Sequence, residues 1–381
     1  MHARVTAAAA ILAGVVATCA ATAASPAGGL AGAVGAYRFA DGSVAALVEQ
    51  DGALRLVDYR TGALRGLSQR TRELFVGGPG VSVPAPVSVR VTLGPRLGGS
   101  VASVRLDGRT AKRIPLVTRP AAFGDGGVRL AGRLILPLGA GPFPAVVIVP
   151  GSVPAHRDTY DLWALFFASR GFAVLTYDKR GVGSSTGQYV RAATGENLES
   201  LASDALAGVA WLRRRHDVDP LRIGLSGGSQ AGWVIALAAS QSRSVRFAAL
   251  QSGPAMSVAR QLAYSALTKN GGVDPTDEQI RAALDGVPDG GFDPRPALAA
   301  LKIPVLWQLG TVDKRMYTSE TLSDLAAITA GGAHDFTVRL YSGGAHSLRL
   351  TAHGLIAEER TSPGFVAGVF ADLGVWLRSH A

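Results

Sequence analysis

The chain has 381 residues, 48% of them hydrophobic and 17% charged, which excludes an intrinsically disordered protein, since such chains are poor in apolar residues and rich in charge. Its 48 glycines and 20 prolines signal many turns without the every-third-residue period of collagen. The net charge of +10 comes largely from arginines scattered along the whole chain, whereas a nucleic-acid binder concentrates its basic charge on one face or tail. No nucleic-acid partner is therefore expected.

Residues 1–24 read as a secretory signal peptide. After Met1-His2-Ala3-Arg4 no charge occurs until Arg38, and the apolar run from Ala7 to Ala17 is too short and too alanine-rich to span about 30 Å of hydrocarbon. Ala21-Thr22-Ala23 and Thr22-Ala23-Ala24 both fit a small-x-small cleavage site. The expectation is export to the periplasm or beyond, without stable membrane insertion. Cys19 is the single cysteine, and Val16-Ala17-Thr18-Cys19 loosely resembles a lipoprotein box. Thr18 stands where such boxes place Gly, Ala or Ser, so lipid anchoring through Cys19 is the alternative and not the main reading. Cleavage after Ala23 or Ala24 leaves no cysteine, hence no disulfide and no thiolate nucleophile.

Residues 25–118 are expected to form a small β-rich domain. Short alternating runs end at Asp41-Gly42, Asp51-Gly52 and Thr61-Gly62, which are hairpin signals, and Gly-Ala-Leu-Arg recurs at 52 and 62. Val87–Val91 and Val101–Leu106 continue the pattern. A small antiparallel sheet or half-barrel fits, and the segment is too short for a propeller of at least four blades of roughly forty residues. It carries no catalytic constellation.

From residue 119 to 381 apolar strands alternate with helices, the signature of a mostly parallel, doubly wound α/β sheet. Strands are expected at Val128–Leu136, Ala145–Val149, Phe172–Tyr177, Ile223–Ser226, Phe247–Leu250, Ile303–Leu309 and Phe336–Tyr341. Leu198, Leu201, Ala205, Val209 and Leu212 keep helical spacing, and a last helix is expected over Gly364–Arg378. Residues 254–302, broken by Pro275, Pro288, Pro294 and Pro296, read as a small, loosely built helical cap.

The chemistry-bearing segment follows the strand Leu221–Leu225. Ser226-Gly227-Gly228-Ser229-Gln230-Ala231-Gly232-Trp233 leads into an apolar helix, the strand–turn–helix layout of a nucleophile elbow. Such a turn forces its serine to positive φ and needs small residues two before, two after and three after it. Ser229 meets this through Gly227, Ala231 and Gly232. The literal G-x-S-x-G match falls instead on Ser226, but that register leaves a strand of barely three residues and a helix opening Gly-Gly-Ser.

Five segments in register now carry a resemblance: Val149-Pro150-Gly151-Ser152, Tyr177-Asp178-Lys179-Arg180-Gly181-Val182-Gly183-Ser184, the Ser229 elbow, Leu309-Gly310-Thr311-Val312-Asp313 and Gly344-Ala345-His346. Together they resemble the α/β-hydrolase superfamily, in its dienelactone-hydrolase-like and bacterial secreted carboxylesterase branch, over residues 119–381. The resemblance implies an α/β-hydrolase fold and assigns the acid to Asp313. The residues agree, because catalytic groups in open α/β sheets sit beyond the carboxyl ends of strands. The base is expected after the last strand, which selects His346 over His334, on the wrong edge, and His353, farther along. A serine hydroxyl needs a neutral imidazole to accept its proton and a carboxylate to hold the tautomer. The backbone N–H groups of Gln230 and Ser152 are the expected oxyanion donors. Asp178-Lys179-Arg180-Gly181 is expected to shape a turn, with Arg180 and His156 as further candidates for lining the pocket.

No His/Asp/Glu spacing suits a metal and no glycine-rich phosphate loop is present, so no metal or cofactor is expected. The expected activity is hydrolysis of small-molecule carboxylic esters through an acyl-enzyme. A prolyl-oligopeptidase-like peptidase, acyl transfer and thioester hydrolysis are the enzymatic alternatives. A catalytically dead binding scaffold would usually lack a triad member, and none is missing here.

Overall fold

The computed structural model describes residues 30–332 and 334–381; the expected signal peptide and Cys19 lie outside the described residues. The front segment builds β1 (Gly35–Phe39), β2 (Val44–Gln50), β3 (Ala53–Asp58), β4 (Leu64–Gln69), β5 (Leu74–Gly77) and β6 (Val89–Leu93). Two short strands follow, β7 (Arg96–Leu97) and β8 (Ser100–Val101), then β9 (Ser103–Leu106) and β10 (Arg109–Arg113). Eight of them close into an antiparallel barrel in the order β1-β10-β9-β6-β5-β4-β3-β2. The half-barrel expectation is thus corrected: β1 pairs with β2 on one side and with β10 on the other, which leaves no free edge.

The second domain begins with β11 (Leu116–Asp125), β12 (Val128–Pro137), β13 (Phe143–Val149), α1 (Asp161–Ala168), β14 (Ala173–Tyr177) and α2 (Gly195–Arg213). It continues through β15 (Val218–Gly228), α3 (Ala231–Gln241), β16 (Phe247–Gln251), α4 (Val258–Leu267), α5 (Asp277–Leu284) and α6 (Arg295–Ala300). It ends with β17 (Val305–Gly310), α7 (Thr318–Ala330), β18 (Phe336–Tyr341), α8 (Ile356–Thr361) and α9 (Val369–His380). The sheet order is β11-β12-β14-β13-β15-β16-β17-β18, parallel from β14 to β18 and antiparallel at β11 and β12. The runs Ala145–Val149 and Ala173–Tyr177 are buried throughout, as strands covered on both faces must be. Helices α2, α3, α6 and α7 cover one face, α1 and α9 the other.

The domain boundary moves. β11, an exposed edge strand containing Pro120, already belongs to the α/β sheet, so the barrel ends at Arg113 and a boundary at 118/119 would cut a strand. The last helix starts at Val369 and not at Gly364, because the preceding segment is used for pairing: Gly364 bridges to Ala63 and Phe365 to Arg349.

The two domains share one apolar core. β2 has five buried residues in succession: Ala45 and Leu47 fill the barrel interior with Tyr37, Leu54 and Phe75, while Val44, Ala46 and Val48 join α1 and α9. Tyr59 meets Phe166 and Phe370 edge-on at centroid distances of 5.3 and 5.0 Å, and its hydroxyl donates to the Leu162 carbonyl.

Candidate active site

β15 runs into α3 through Ser229, whose φ of +59° puts a non-glycine residue in the left-handed region. A Cβ on Gly227 would lie 2.5 Å from the Val149 carbonyl oxygen, and one on Gly232 would lie 2.7 Å from Gly253 Cα. The spacing read from the sequence is therefore the spacing that the close approach requires. The Ser229 N–H donates to the Gln251 carbonyl at 3.0 Å, which ties the turn to the next strand. Ser226 is buried within β15 and its hydroxyl donates to the Ala249 carbonyl.

Asp313 lies in the turn after β17 and His346 in the turn after β18. Both side chains are buried, with His346 Nδ1 2.8 Å from Asp313 Oδ2. Oδ1 of Asp313 accepts the backbone N–H groups of Arg315 at 2.7 Å and Met316 at 2.9 Å. The carboxylate is thereby pinned on one side and presented to the imidazole on the other.

Ser229, Gln230, His346 and Ser152 all line one cavity of about 1160 Å³. Among the described residues Ser229 makes no hydrogen bond to the imidazole; such contacts tighten when a substrate is bound. Val153, Pro154, Trp233, Val258, Leu262 and Met316 make the walls largely apolar. Arg191 and Arg315 are its charged members, and no Asp or Glu lines it among the described residues.

The Gly151–Ser152 loop, where the sequence places an expected oxyanion donor, is held from three sides. The Gly151 N–H donates to the Tyr160 hydroxyl at 3.0 Å, the Gly151 carbonyl accepts from Lys179 Nζ at 2.7 Å, and the Ser152 carbonyl accepts from the Tyr189 hydroxyl at 2.6 Å. Burial pushes the Tyr160 hydroxyl pKa up, so it stays protonated. These three side chains were not expected from the sequence beyond the turn motif containing Lys179.

The other two expected pocket residues lie elsewhere. Arg180 turns toward α2, where its guanidinium pairs with buried Asp204 through two contacts of 2.7 Å and also donates to the Ser200 carbonyl. His156 faces a separate groove between the barrel loops and the α/β domain, beside Glu49 and Asp158. Both neighbour the cavity in sequence, but the turn that holds Asp178 on Arg157 and Ser184 points them outward.

The cap is smaller than expected, because α6 packs on the main core. α4 roofs the cavity, α5 packs on α4 through Ile280 and Leu284 against Tyr264, and α6 leaves the cap to pack on α3. α4 is tied to the loop that carries Asp313: Tyr264 donates to the Asp313 carbonyl at 2.8 Å, Gln261 to the Arg315 carbonyl at 2.7 Å, and Arg260 pairs with Glu320. The barrel lends no residue to the cavity. Among the described residues no helix is long and apolar enough to cross a membrane, and no group of His, Cys, Asp and Glu could hold a metal ion.

The sequence profile of the prolyl oligopeptidase family matches residues 159–372, more than half of the chain. The chain belongs to the prolyl oligopeptidase family. This member carries an eight-stranded barrel ahead of its α/β-hydrolase domain. Esterase FrsA of Citrobacter koseri is 36% identical over 103 residues, 27% of this chain and 25% of that protein. The chain thus spans about a quarter of the length of the curated relatives it matches. Two solved structures share the fold at 16% identity: an esterase from Pyrococcus furiosus, with a TM-score of 0.51 over 70% of this chain and 92% of that one, and an acylaminoacyl peptidase from Pyrococcus horikoshii, with a TM-score of 0.52 over 87% and 55%. Family and fold make this prolyl oligopeptidase family member an α/β-hydrolase in fold.

Proposed function

We propose that the protein hydrolyses carboxylic esters of small molecules, with short acyl groups, through an acyl-enzyme on Ser229. His346 takes the Ser229 proton as Oγ attacks the ester carbonyl, then gives it to the departing alcohol. Asp313 holds the imidazole with Nδ1 protonated, so that Nε2 is free to accept. The developing oxyanion is met by the backbone N–H groups of Gln230 and Ser152, each worth about 2.7–4 kcal/mol of barrier in comparable sites. Water, activated by the same imidazole, then releases the acid.

The observation that carries this reading is the His346–Asp313 hydrogen bond beside Ser229 in one largely apolar cavity. A free peptide N-terminus brings an ammonium, and the cavity lining offers it no carboxylate among the described residues. Half-exposed Val153 and Leu262 at the mouth favour apolar groups, and the volume leaves room on the alcohol side beyond a short acyl chain. The relatives named esterases support the same reading. Peptidase activity is the second reading, favoured by the family match and by the likeness to an acylaminoacyl peptidase.

Labelling with a fluorophosphonate probe, followed by peptide mapping to Ser229, tests the nucleophile. A panel of p-nitrophenyl butyrate, a long-chain ester and an X-Pro anilide tests the substrate class. We expect butyrate to be cleaved best; a higher kcat/KM for the anilide would replace the esterase reading with the peptidase one. We also propose export after cleavage near Ala24 or Ser25, on the three-part layout of residues 1–24. N-terminal sequencing that finds Met1 intact, or an acylated Cys19, would overturn it.

A further inference from the structure

We propose that Lys179 is a positioning residue that ties the two sides of the oxyanion hole together and sets a fixed positive charge behind it. The proposal rests on the Ser229 reading above. Lys179 Nζ donates to the Gly151 carbonyl at 2.7 Å and to Gln230 Oε1 at 3.0 Å. Gly151 directly precedes Ser152, and Gln230 directly follows Ser229. One ammonium therefore spans the loop after β13 and the elbow after β15, the two segments whose N–H groups must converge on the same oxygen.

The surroundings of Lys179 do not suit a role in stability. Its side chain is only 1% exposed, with Nζ 5.4 Å from the centre of the Tyr189 ring. The nearby carboxylates are committed elsewhere, Asp178 to Arg157 and Asp204 to Arg180. A buried ammonium held by two neutral oxygens opposes folding, and burial lowers the Lys179 pKa to about 8, with Asp204 acting in the other direction. A folded-state pKa below the unfolded one means that the native state gains stability as pH rises from about 8 toward the ordinary lysine value, so the charged form is the one the fold tolerates least. The charge finds its counterpart when negative charge develops on the substrate oxygen, beyond the Gly151–Ser152 and Ser229–Gln230 peptides. A fixed charge that needs no reorganisation at that moment lowers the barrier.

Lys179→Met keeps an apolar stem out to the Cε position and removes the ammonium. The test measures the rate of fluorophosphonate labelling at Ser229, kcat and KM on p-nitrophenyl butyrate, and the melting temperature. The labelling rate and kcat should fall on the order of 10–100-fold with KM changed less than about threefold, while the melting temperature holds or rises. Gln230→Leu, which keeps its N–H and loses one acceptor, should fall less, and the double variant should be no worse than Lys179→Met alone. Labelling of Lys179→Met at the wild-type rate, or a loss that tracks a falling melting temperature, would overturn the proposal. Should Lys179→Met not fold, Gln230→Leu decides: reduced kcat at an unchanged melting temperature supports the tie, and wild-type kcat overturns it. A wild-type protein unlabelled at Ser229 would instead overturn the ester-hydrolase reading itself.

Discussion

Replacing Asp313 with asparagine tests the assigned roles most directly, because the structure dictates which way the new amide turns. Oδ1 accepts two backbone N–H groups at 2.7 and 2.9 Å, while Oδ2 faces His346 Nδ1 at 2.8 Å. An NH2 group cannot accept a hydrogen bond, so the asparagine keeps its carbonyl on the two N–H groups and turns its NH2 toward the imidazole. Reversing it would break two hydrogen bonds, each worth about 1 kcal/mol net, and oppose donor to donor. Nδ1 must then accept, which moves the ring proton to Nε2, the atom that should take the Ser229 proton. The same exchange in a serine protease triad lowers kcat about 10⁴-fold, or about 5 kcal/mol of barrier. Asp313→Asn should therefore lose most of its kcat on p-nitrophenyl butyrate while its thermal unfolding stays near wild type. Asp313→Ala, by contrast, leaves two N–H groups in a buried turn without their acceptor, at about 1–3 kcal/mol each, and should lower the melting temperature. An asparagine variant that kept kcat within about tenfold of wild type would refute the assignment of acid and base.

Ser226→Ala should retain turnover and lose about 1 kcal/mol of stability, the worth of its hydrogen bond to Ala249; loss of probe labelling in this variant would mean that the elbow register is wrong. Arg180→Ala should unfold more easily by about 3 kcal/mol or more, because it strands the buried Asp204 carboxylate, yet keep its activity per folded molecule; an unchanged melting temperature would contradict the buried-pair reading. A chain starting at residue 119 should aggregate, since it loses part of β11 and uncovers Phe166 and Phe370, each large apolar side chain costing about 1.5–3 kcal/mol when exposed. A soluble, monodisperse 119–381 fragment melting near the full chain would show that the barrel is dispensable.

The parts of the site that could be read in the sequence are those set by local backbone geometry. The elbow demands small residues at fixed offsets, and the approach of Gly227 to Val149 and of Gly232 to Gly253 is the reason for them. Chain order placed Asp313 and His346 at strand ends, where the sheet brings them together. What escaped the sequence depends on where distant segments meet. Tyr160 and Tyr189 reach Gly151 and Ser152 only after the loops fold over each other, and no spacing announces it. His156 and Arg180 show the converse, since nearness in sequence did not fix the direction of the side chain. Closure of the barrel rests on pairing Phe39 with Ala111, a contact between segments that no local pattern links.

Among the described residues the barrel does not line the cavity, yet it is coupled to the loop that carries His346 through backbone hydrogen bonds. The turn between β3 and β4 holds the segment before α9: the Phe365 N–H donates to the Gly62 carbonyl at 2.8 Å and the Leu64 N–H to the Pro363 carbonyl at 3.1 Å. That segment in turn holds the histidine's loop, with the Leu350 N–H donating to the Gly364 carbonyl at 2.8 Å and the Val366 N–H to the Leu348 carbonyl at 2.9 Å. Leu348, two residues beyond His346, sits at a φ of +60°, a conformation that a leucine keeps only where its surroundings over-determine it. The barrel supplies part of that constraint. It reaches the loop of His346 and not the turn of Ser229, which is fixed by β16, nor the Gly151–Ser152 loop, which is fixed by Tyr160, Lys179 and Tyr189. On the proposed mechanism, damage to the barrel should thus lower kcat, through proton transfer by His346, before it raises KM.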